Sequence, residues 1–495
     1  MCSTRPDARL AAGWLIRWLG FIYFWVFLSW SRQVEGLIGP VGILPAREYL
    51  QAVSAHFSPA VRVWFAPSLL WLSSSTLALH LLCGAGLAAA LAVMLRWHPR
   101  WALAACLILF LSLISCAQVF ASYQSDGMLM TAGFCALFLD ERAPSWWSWI
   151  SLRWLWFSIY FGSGLAKWMS HDPQWRHLTA LDQYYQNLPL PNVLGWFAQQ
   201  FLPHGIEAAI AALILLVEIF VVWLAWLPRR WRIICFWIVT PFQIAIILTA
   251  NYGFLNYLVL GLGLTLIDDR HLRWLLRWLL HRPPQAATAV ATGLRTGWRT
   301  GVASLCLLAL ILVTALNMAG RFWPKLAAPP QVNIALQPFR VADAFGLFAV
   351  MTRDRYEIEF QGTRDGKTWI AYPYRFKPQD PRRAPAGDVF LFAPYQPRFD
   401  WNLWFASLGS YRQYPWVELT ELRLLEGDRA VLGLFAGNPF ARRPPLAVRA
   451  VRWQYWFSTP AQLRQQRIWW QRRNLGAYAP TLVRTSTGVE ELTVP

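Results

Sequence analysis

Residues 206–227 read IEAAIAALILLVEIFVVWLAWL, an unbroken apolar run whose only ionisable side chains are Glu207 and Glu218. An apolar run of about 20 residues crosses a bilayer as an α-helix, because hydrocarbon offers backbone groups no partner outside the helix itself. Outward from this run the same reading applies at 12–31, 70–95, 101–121, 126–140, 149–168, 232–250, 252–267 and 301–320. The stretches at 126–140 and 252–267 are short, and 149–168 carries Arg153. The expectation is a polytopic α-helical membrane protein with about nine spans over residues 1–325.

Composition supports a chain that lives largely in lipid. Hydrophobic residues make up 56% and charged residues 14% of its 495 positions, against about 25% charged in soluble proteins. A disordered chain and a disulfide scaffold are both excluded. The seven cysteines show no CxxC spacing and none follows Cys306, and all eight histidines precede residue 282. The later part therefore lacks thiols and imidazoles, and no metal site or cofactor is implied.

The net charge of +19 raises the question of nucleic acid, but the basic residues gather at the ends of apolar runs, as in RWHPR (96–100), PRRW (228–231) and DDRHLRWLLRWLLHRPP (268–284). That is where cytoplasmic loop charges belong. No basic stripe with stacking aromatics accompanies them, so nucleic acid is not a partner. Counting from a cytoplasmic N-terminus, these loops fall inside and the chain after residue 320 falls outside. The segment 270–282 reads as an amphipathic helix at the membrane surface, and the glycines at 84–86 and at 162 and 164 read as points of close helix approach.

From about residue 326 the pattern changes to YEIEF (356–360), DVFLF (388–392) and AVRAVRWQYWF (447–457), with an Asp365-Gly366 turn. A non-cytoplasmic β-sandwich-like domain over 326–495 is expected, with helix near 400–408 and 460–472. Its core is expected to draw on Trp369, Trp401, Trp404, Trp416, Trp453 and Trp456.

Few residues suggest chemistry. Lys167 is one of only four lysines and the only one before residue 325. An ammonium can lose its proton when desolvated and a guanidinium cannot, so Lys167 is a weak candidate for a catalytic base. The competing reading is a lysine at a span end, paired with Asp172. Glu218, in mid-span, is costly unless satisfied, for instance by Gln243. Asp172, Trp175, Glu218, Gln243 and Asn251 are the polar membrane-face candidates. The run DWNLWF (400–405) offers aromatic anchors for a partner, making Arg398, Asp400, Trp401 and Trp404 client-binding candidates. Trp401 and Trp404, three apart on a helical turn, can equally pack inward and leave Asp400 or Arg398 at the surface.

The segment FGSGLAKWMSHDPQWRHLTALDQYYQNLPLPN (161–192), with QIAIILTANYGFLNYL (243–258) and IDD (267–269), resembles the lipase maturation factor family. YEIEFQGTRDGKTWIAYPYRFKPQD (356–380), YQPRFDWNLWFASL (395–408), GNPF (437–440) and PPLAVRAVRWQYWFST (444–459) continue that resemblance in order. It implies a membrane-anchored factor that helps a secreted lipase or other exported client fold and assemble, with the outer domain meeting the client. The arginine-rich, lysine-poor composition suggests a bacterial inner membrane, with a periplasmic C-terminal domain. The spans are also distantly similar to the membrane domain of vitamin K-dependent carboxylases. That likeness implies the alternative, an integral-membrane enzyme acting on an isoprenoid or lipid through Lys167. Membrane lipid is the other expected partner.

Overall fold

The computed structural model describes residues 8–140, 144–280, 298–385, 393–486 and 488–492. All nine apolar stretches are helical: α1 (Arg9–Ile38), α2 (Thr76–Met94), α3 (Pro99–Ile114), α4 (Gln124–Ala136), α5 (Trp146–Met169), α6 (His204–Ile219), α7 (Arg229–Thr249), α8 (Leu255–Leu262) and α9 (Trp298–Ala319). Among the described residues, five are long and apolar enough to cross a membrane: Arg9–Ile38, Thr76–Met94, His204–Trp226, Arg229–Thr249 and Gly301–Ala319. The chain is an integral membrane protein.

The expectation of nine spans exceeds this count for a physical reason. At about 1.5 Å per residue, the 13 residues of α4 reach only about 20 Å, short of a hydrocarbon layer about 30 Å thick. Eleven of those residues are buried, Ser125, Asp126 and Thr131 among them. This helix lies within protein, so its apolar sequence reports a core. Helix α5 also turns polar side chains inward, and Arg153 donates to the Thr265 carbonyl at 2.5 and 3.2 Å.

Small residues set the helix contacts. A Cβ on Gly86 of α2 would stand 2.3 Å from the Phe27 ring of α1, and one on Gly162 would stand 2.4 Å from the Phe345 carbonyl. The Phe27 ring therefore lies directly on the α2 backbone at Gly86, and the backbone at Phe345 lies directly on that of α5 at Gly162. Gly84, by contrast, has nothing within 4 Å. The segment expected at the membrane surface is helical over Asp269–Leu280, with Trp274 and Trp278 exposed; residues 281 and 282 lie outside the described residues.

Beyond α9 the chain forms one antiparallel sheet from β1 (Arg355–Thr363), β2 (Ile370–Ala371), β3 (Ala447–Phe457), β4 (Trp470–Ala477), β5 (Thr481–Arg484) and β6 (Val489–Leu492). The order is β2-β1-β3-β5-β6, with β4 also paired to β3. Strands β1 and β3 pair in unbroken register from Arg355↔Tyr455 to Thr363↔Ala447.

The sandwich expectation is corrected here: among the described residues there is no second sheet. Helices α10 (Arg398–Ser407) and α11 (Trp416–Glu426) take its place, and Phe399 and Trp416 share one buried core with Ile358, Phe360, Val448 and Ala450. The stretch DVFLF (388–392) lies outside the described residues. Helix occurs at Pro460–Gln466, closed at its start by a Thr459/Gln462 capping box, and 470–472 is already strand. Of the expected tryptophan core, Trp401 and Trp416 are buried, while Trp369, Trp404, Trp453 and Trp456 are half-buried.

The sheet-bearing part is docked firmly on the helices. Arg355, fully buried, donates to the carbonyls of Gln186 (2.8 Å), Leu188 and Pro189 (3.4 Å) in the loop before α6. Gln33 of α1 donates to the Gln396 carbonyl at 3.1 Å and accepts from the Phe399 amide at 3.2 Å.

Candidate functional site

Helix α5 places Tyr160, Ser163 and Lys167 on one face, spaced three and then four residues apart as a helix requires. Opposite them stand Ile210, Ile214 and Glu218 of α6, Gln243 and Ile246 of α7 and Asn256 of α8, around a cavity of about 280 Å³. Leu347, Phe348 and Met351 of the segment after α9 close one side.

Lys167 and Glu218 form the buried ion pair of this cavity. Nζ donates to the two carboxylate oxygens at 3.0 and 2.7 Å and to the Leu347 carbonyl at 3.3 Å. It also lies 5.2 Å from the centre of the Trp175 ring and 5.7 Å from that of Phe348. Lys167 therefore does not pair with Asp172. That carboxylate caps the short helix Pro173–Arg176 through the Gln174 amide (3.0 Å) and takes the Met351 amide at 2.7 Å. Nor does Glu218 meet Gln243, which accepts from the Tyr160 hydroxyl (2.7 Å) and donates to Asn256 (2.9 Å).

Trp175 contributes its indole N–H to the Phe348 carbonyl at 3.0 Å. Phe348 itself sits at φ +56°, a left-handed conformation uncommon for a bulky side chain. It is held there by these bonds and by the Leu347 amide on Ser163 Oγ (3.1 Å). Asn251 stands apart from the cavity, its Oδ1 accepting from the Gly253 amide at 2.9 Å. The fold thus gathers Lys167, Trp175, Glu218 and Gln243 around one space, with Asp172 fastening its cap. It adds Tyr160, Tyr184, Tyr252 and Asn256, which sequence reasoning missed because tyrosines and an asparagine in apolar runs carry no spacing signal.

The client-binding candidates lie elsewhere than expected. Arg398 and Asp400 are 1% and 2% exposed, not at the surface. Arg398 makes two parallel bonds to Asp126 of α4, at 2.7 and 2.9 Å, and donates to the Phe120 carbonyl at 2.8 Å. Its guanidinium lies 4.5 Å from the centre of the Trp30 ring. Trp401 packs on Tyr123 and Tyr252, and Trp404 donates to the Asn187 carbonyl at 3.0 Å. The helix DWNLWF is a dowel between the sheet and the membrane helices, because its aromatic and polar residues both find partners there. Asp126 and Arg398 are 272 residues apart, and no local pattern in the sequence couples them.

Asp400 stands in a buried charge cluster with Lys377 and Glu357, the latter ion-paired to both Lys377 and Arg355. Burial pushes its carboxyl up to about 7, opposed by the Lys377 ammonium and the amides of Phe376 and Lys377. The folded chain therefore keeps a proton here that the unfolded chain has released between about pH 4 and pH 7. Stability falls as pH rises across that window. Asp400→Asn is expected to flatten this fall, so that wild type loses more melting temperature than the variant between pH 5 and pH 8 in a scanning-fluorimetry series.

One further group has the composition of a metal site. Asp182, His204 and Glu207 offer ligand atoms all within 4.8 Å of one another, and His204 Nδ1 is 3.0 Å from Asp182 Oδ1. The sequence reading, which looked for ligand spacing, passed over it because the three positions form no motif.

Fold and site together define a polytopic integral membrane protein whose sheet-bearing C-terminal part is locked onto its helices above a buried ion pair. Residues 10–274 match the lipase maturation factor transmembrane domain, and residues 341–480 match the lipase maturation factor C-terminal domain. The chain belongs to the lipase maturation factor family. It is similar to lipase maturation factor 1 of Bos taurus, 33% identical over 97% of this chain and 91% of the relative. It is 30% identical to lipase maturation factor 1 of Mus musculus, over 94% of this chain and 86% of that one. Lipase maturation factor 2 of Xenopus laevis is 27% identical over 96% and 83%. No solved structure matches the chain.

Proposed function

We propose that this chain is a membrane-anchored maturation factor that assists the folding and assembly of a secreted lipase or another exported client. The observation that carries this reading is the extent of the likeness: the relatives named for lipase maturation align with both parts of the chain, nearly end to end. Partly folded lipases expose apolar surface that aggregates, and a helper need only shield it; no bond is made or broken. The enzymatic alternative receives no support from the relatives. The bonds from Lys167 to Glu218 and the Leu347 carbonyl support a structural role for this lysine.

The chain divides near residue 325 into a membrane part and an outer part, in keeping with the separate matches to 10–274 and 341–480. The basic segment 268–284 belongs on the cytoplasmic side, and α9, which follows it, is long and apolar enough to cross; together they favour a sheet on the non-cytoplasmic side, the periplasm if the host is a bacterium. With Arg398, Asp400 and Trp401 buried, the client surface moves to the end of the sheet beyond α11. There the β1–β3–β4 register turns Tyr356, Arg452, Trp456 and Arg473 to one face. Arg452 stacks over Tyr356 at 4.1 Å and Arg473 over Trp456 at 5.9 Å. Arginine and aromatic side chains of this kind dominate protein-binding surfaces.

Co-expression with a secreted dimeric lipase, in cells lacking any maturation factor, tests the assignment. The wild-type chain is expected to raise secreted lipase activity severalfold over cells without it. An Arg452→Glu, Arg473→Glu variant is expected to lose most of that gain at an unchanged level of the chain. Equal lipase activity with and without the chain overturns the reading.

A further inference from the structure

The Lys167–Glu218 cavity has a chemistry that none of the preceding functions uses. Two of its walls are α6 and α7, both long and apolar enough to cross a membrane. On these walls Ala245 is exposed, and Ile210, Ile214, Ile246 and Thr249 are half-buried. Side chains at once lining a cavity and reaching the outside of a spanning helix pair mark an opening toward lipid. A cavity with such an opening inside a bilayer is filled from the bilayer, and hydrocarbon is what the bilayer supplies.

The polar end selects the head. Lys167 directs its donors at Glu218 and the Leu347 carbonyl, so the pair is neutral as a unit and offers no uncompensated charge to a phosphate. Each Glu218 oxygen still has acceptor capacity beyond its single bond from Lys167. The hydroxyls of Tyr184 and Tyr252 meet at 2.9 Å, and that contact uses one of their two protons. Among the described residues neither hydroxyl has another recorded partner, so one proton is left to donate. Phe348 joins the two groups, with Lys167 Nζ at 5.7 Å and the Tyr252 ring at 4.8 Å from its ring centre. An acceptor and a donor at the same end of an apolar cavity fit a hydroxyl.

We propose that this cavity is a binding site for a neutral lipid, one hydrocarbon chain ending in a hydroxyl-bearing head such as a monoacylglycerol or a fatty alcohol. The chain enters between α6 and α7, and the hydroxyl lies between Glu218 and the Tyr184–Tyr252 pair. The occupant touches Leu347 and Phe348, only a few residues before β1, so the loaded cavity borders the segment that leads into the sheet. This inference stands on the geometry alone and is independent of the client.

The test uses the full-length protein in nanodiscs with a diazirine-bearing hexadecanol and peptide mapping of the crosslinks. Labelling is expected to concentrate on 210–218 and 243–249. Excess monoolein should suppress it at least fivefold, and methyl oleate or an anionic lysophospholipid far less. Ile214→Trp, which fills the cavity, is expected to abolish the concentrated labelling, and Ile246→Trp serves in its place if the first variant does not fold. Tyr184→Phe together with Tyr252→Phe, which removes both protons, should narrow the difference between monoolein and methyl oleate. Labelling spread evenly over all lipid-facing helices, or unchanged in a folded tryptophan variant, shows annular lipid only and overturns the proposal. Equal competition by the anionic lipid overturns the hydroxyl assignment.

Discussion

Arg398→Met is expected to destabilise the whole chain by about 3–5 kcal/mol, the usual cost of removing one partner from a buried ion pair. Asp126 and Arg398 are both essentially without solvent contact, and Arg398 gives two parallel bonds to the carboxylate. Once the guanidinium is gone, Asp126 keeps a charge that neither water nor protein balances. The loss should appear as a large fall in melting temperature in detergent and as protease cleavage between α9 and the sheet. Asp126→Leu together with Arg398→Met should recover most of the loss, because two apolar groups need no partner. A single variant that melts like wild type would mean that the sheet-bearing part is not held by this pair.

Lys167→Met is the second change with a large expected effect. It leaves the Glu218 carboxylate, 10% exposed at the side chain, among apolar walls with no ammonium beside it. A loss of about 3–5 kcal/mol is expected on the same grounds, and Glu218→Leu added to it should again restore most of the stability. Lys167→Arg keeps a cation within reach and should cost much less, although a guanidinium fits the bifurcated contact less compactly. The client assay separates the two readings of this lysine. If Lys167 were a base, Lys167→Arg would lose function at full stability; as a structural cation it should keep function in proportion to the folded chain that remains.

The helices were legible in the sequence because lipid enforces a simple rule on long apolar runs, and all nine runs are helical. The rule does not distinguish a helix facing lipid from one packed within protein, which is why α4, with Asp126 buried in its first turn, read as a span. The sheet was legible from β1 and β3. Apolar and polar residues alternate in YEIEF, yet Glu357 and Glu359 are buried too. Glu357 meets Arg355 and Lys377, and Glu359 meets Gln361, Gln379 and Arg472. A covered polar face satisfied by ion pairs has the same period-two signature as a solvated one. For the same reason DWNLWF could be placed on a helix but not oriented. Lys167 and Glu218 were each singled out by type, one as the lone early lysine and the other as a mid-span carboxylate. Their pairing across 51 residues needed the fold.

Client contact at the arginine-aromatic end of the sheet requires that the sheet face the compartment into which clients are exported. Alkaline phosphatase, which folds only outside the cytosol, fused after residue 495 reports that side directly, with a cytosolic fluorescent protein at the same position as its counterpart. The account predicts strong phosphatase activity and a dark fluorescent fusion. A bright fluorescent fusion with inactive phosphatase would contradict it, since no exported lipase could then reach Arg452 or Arg473.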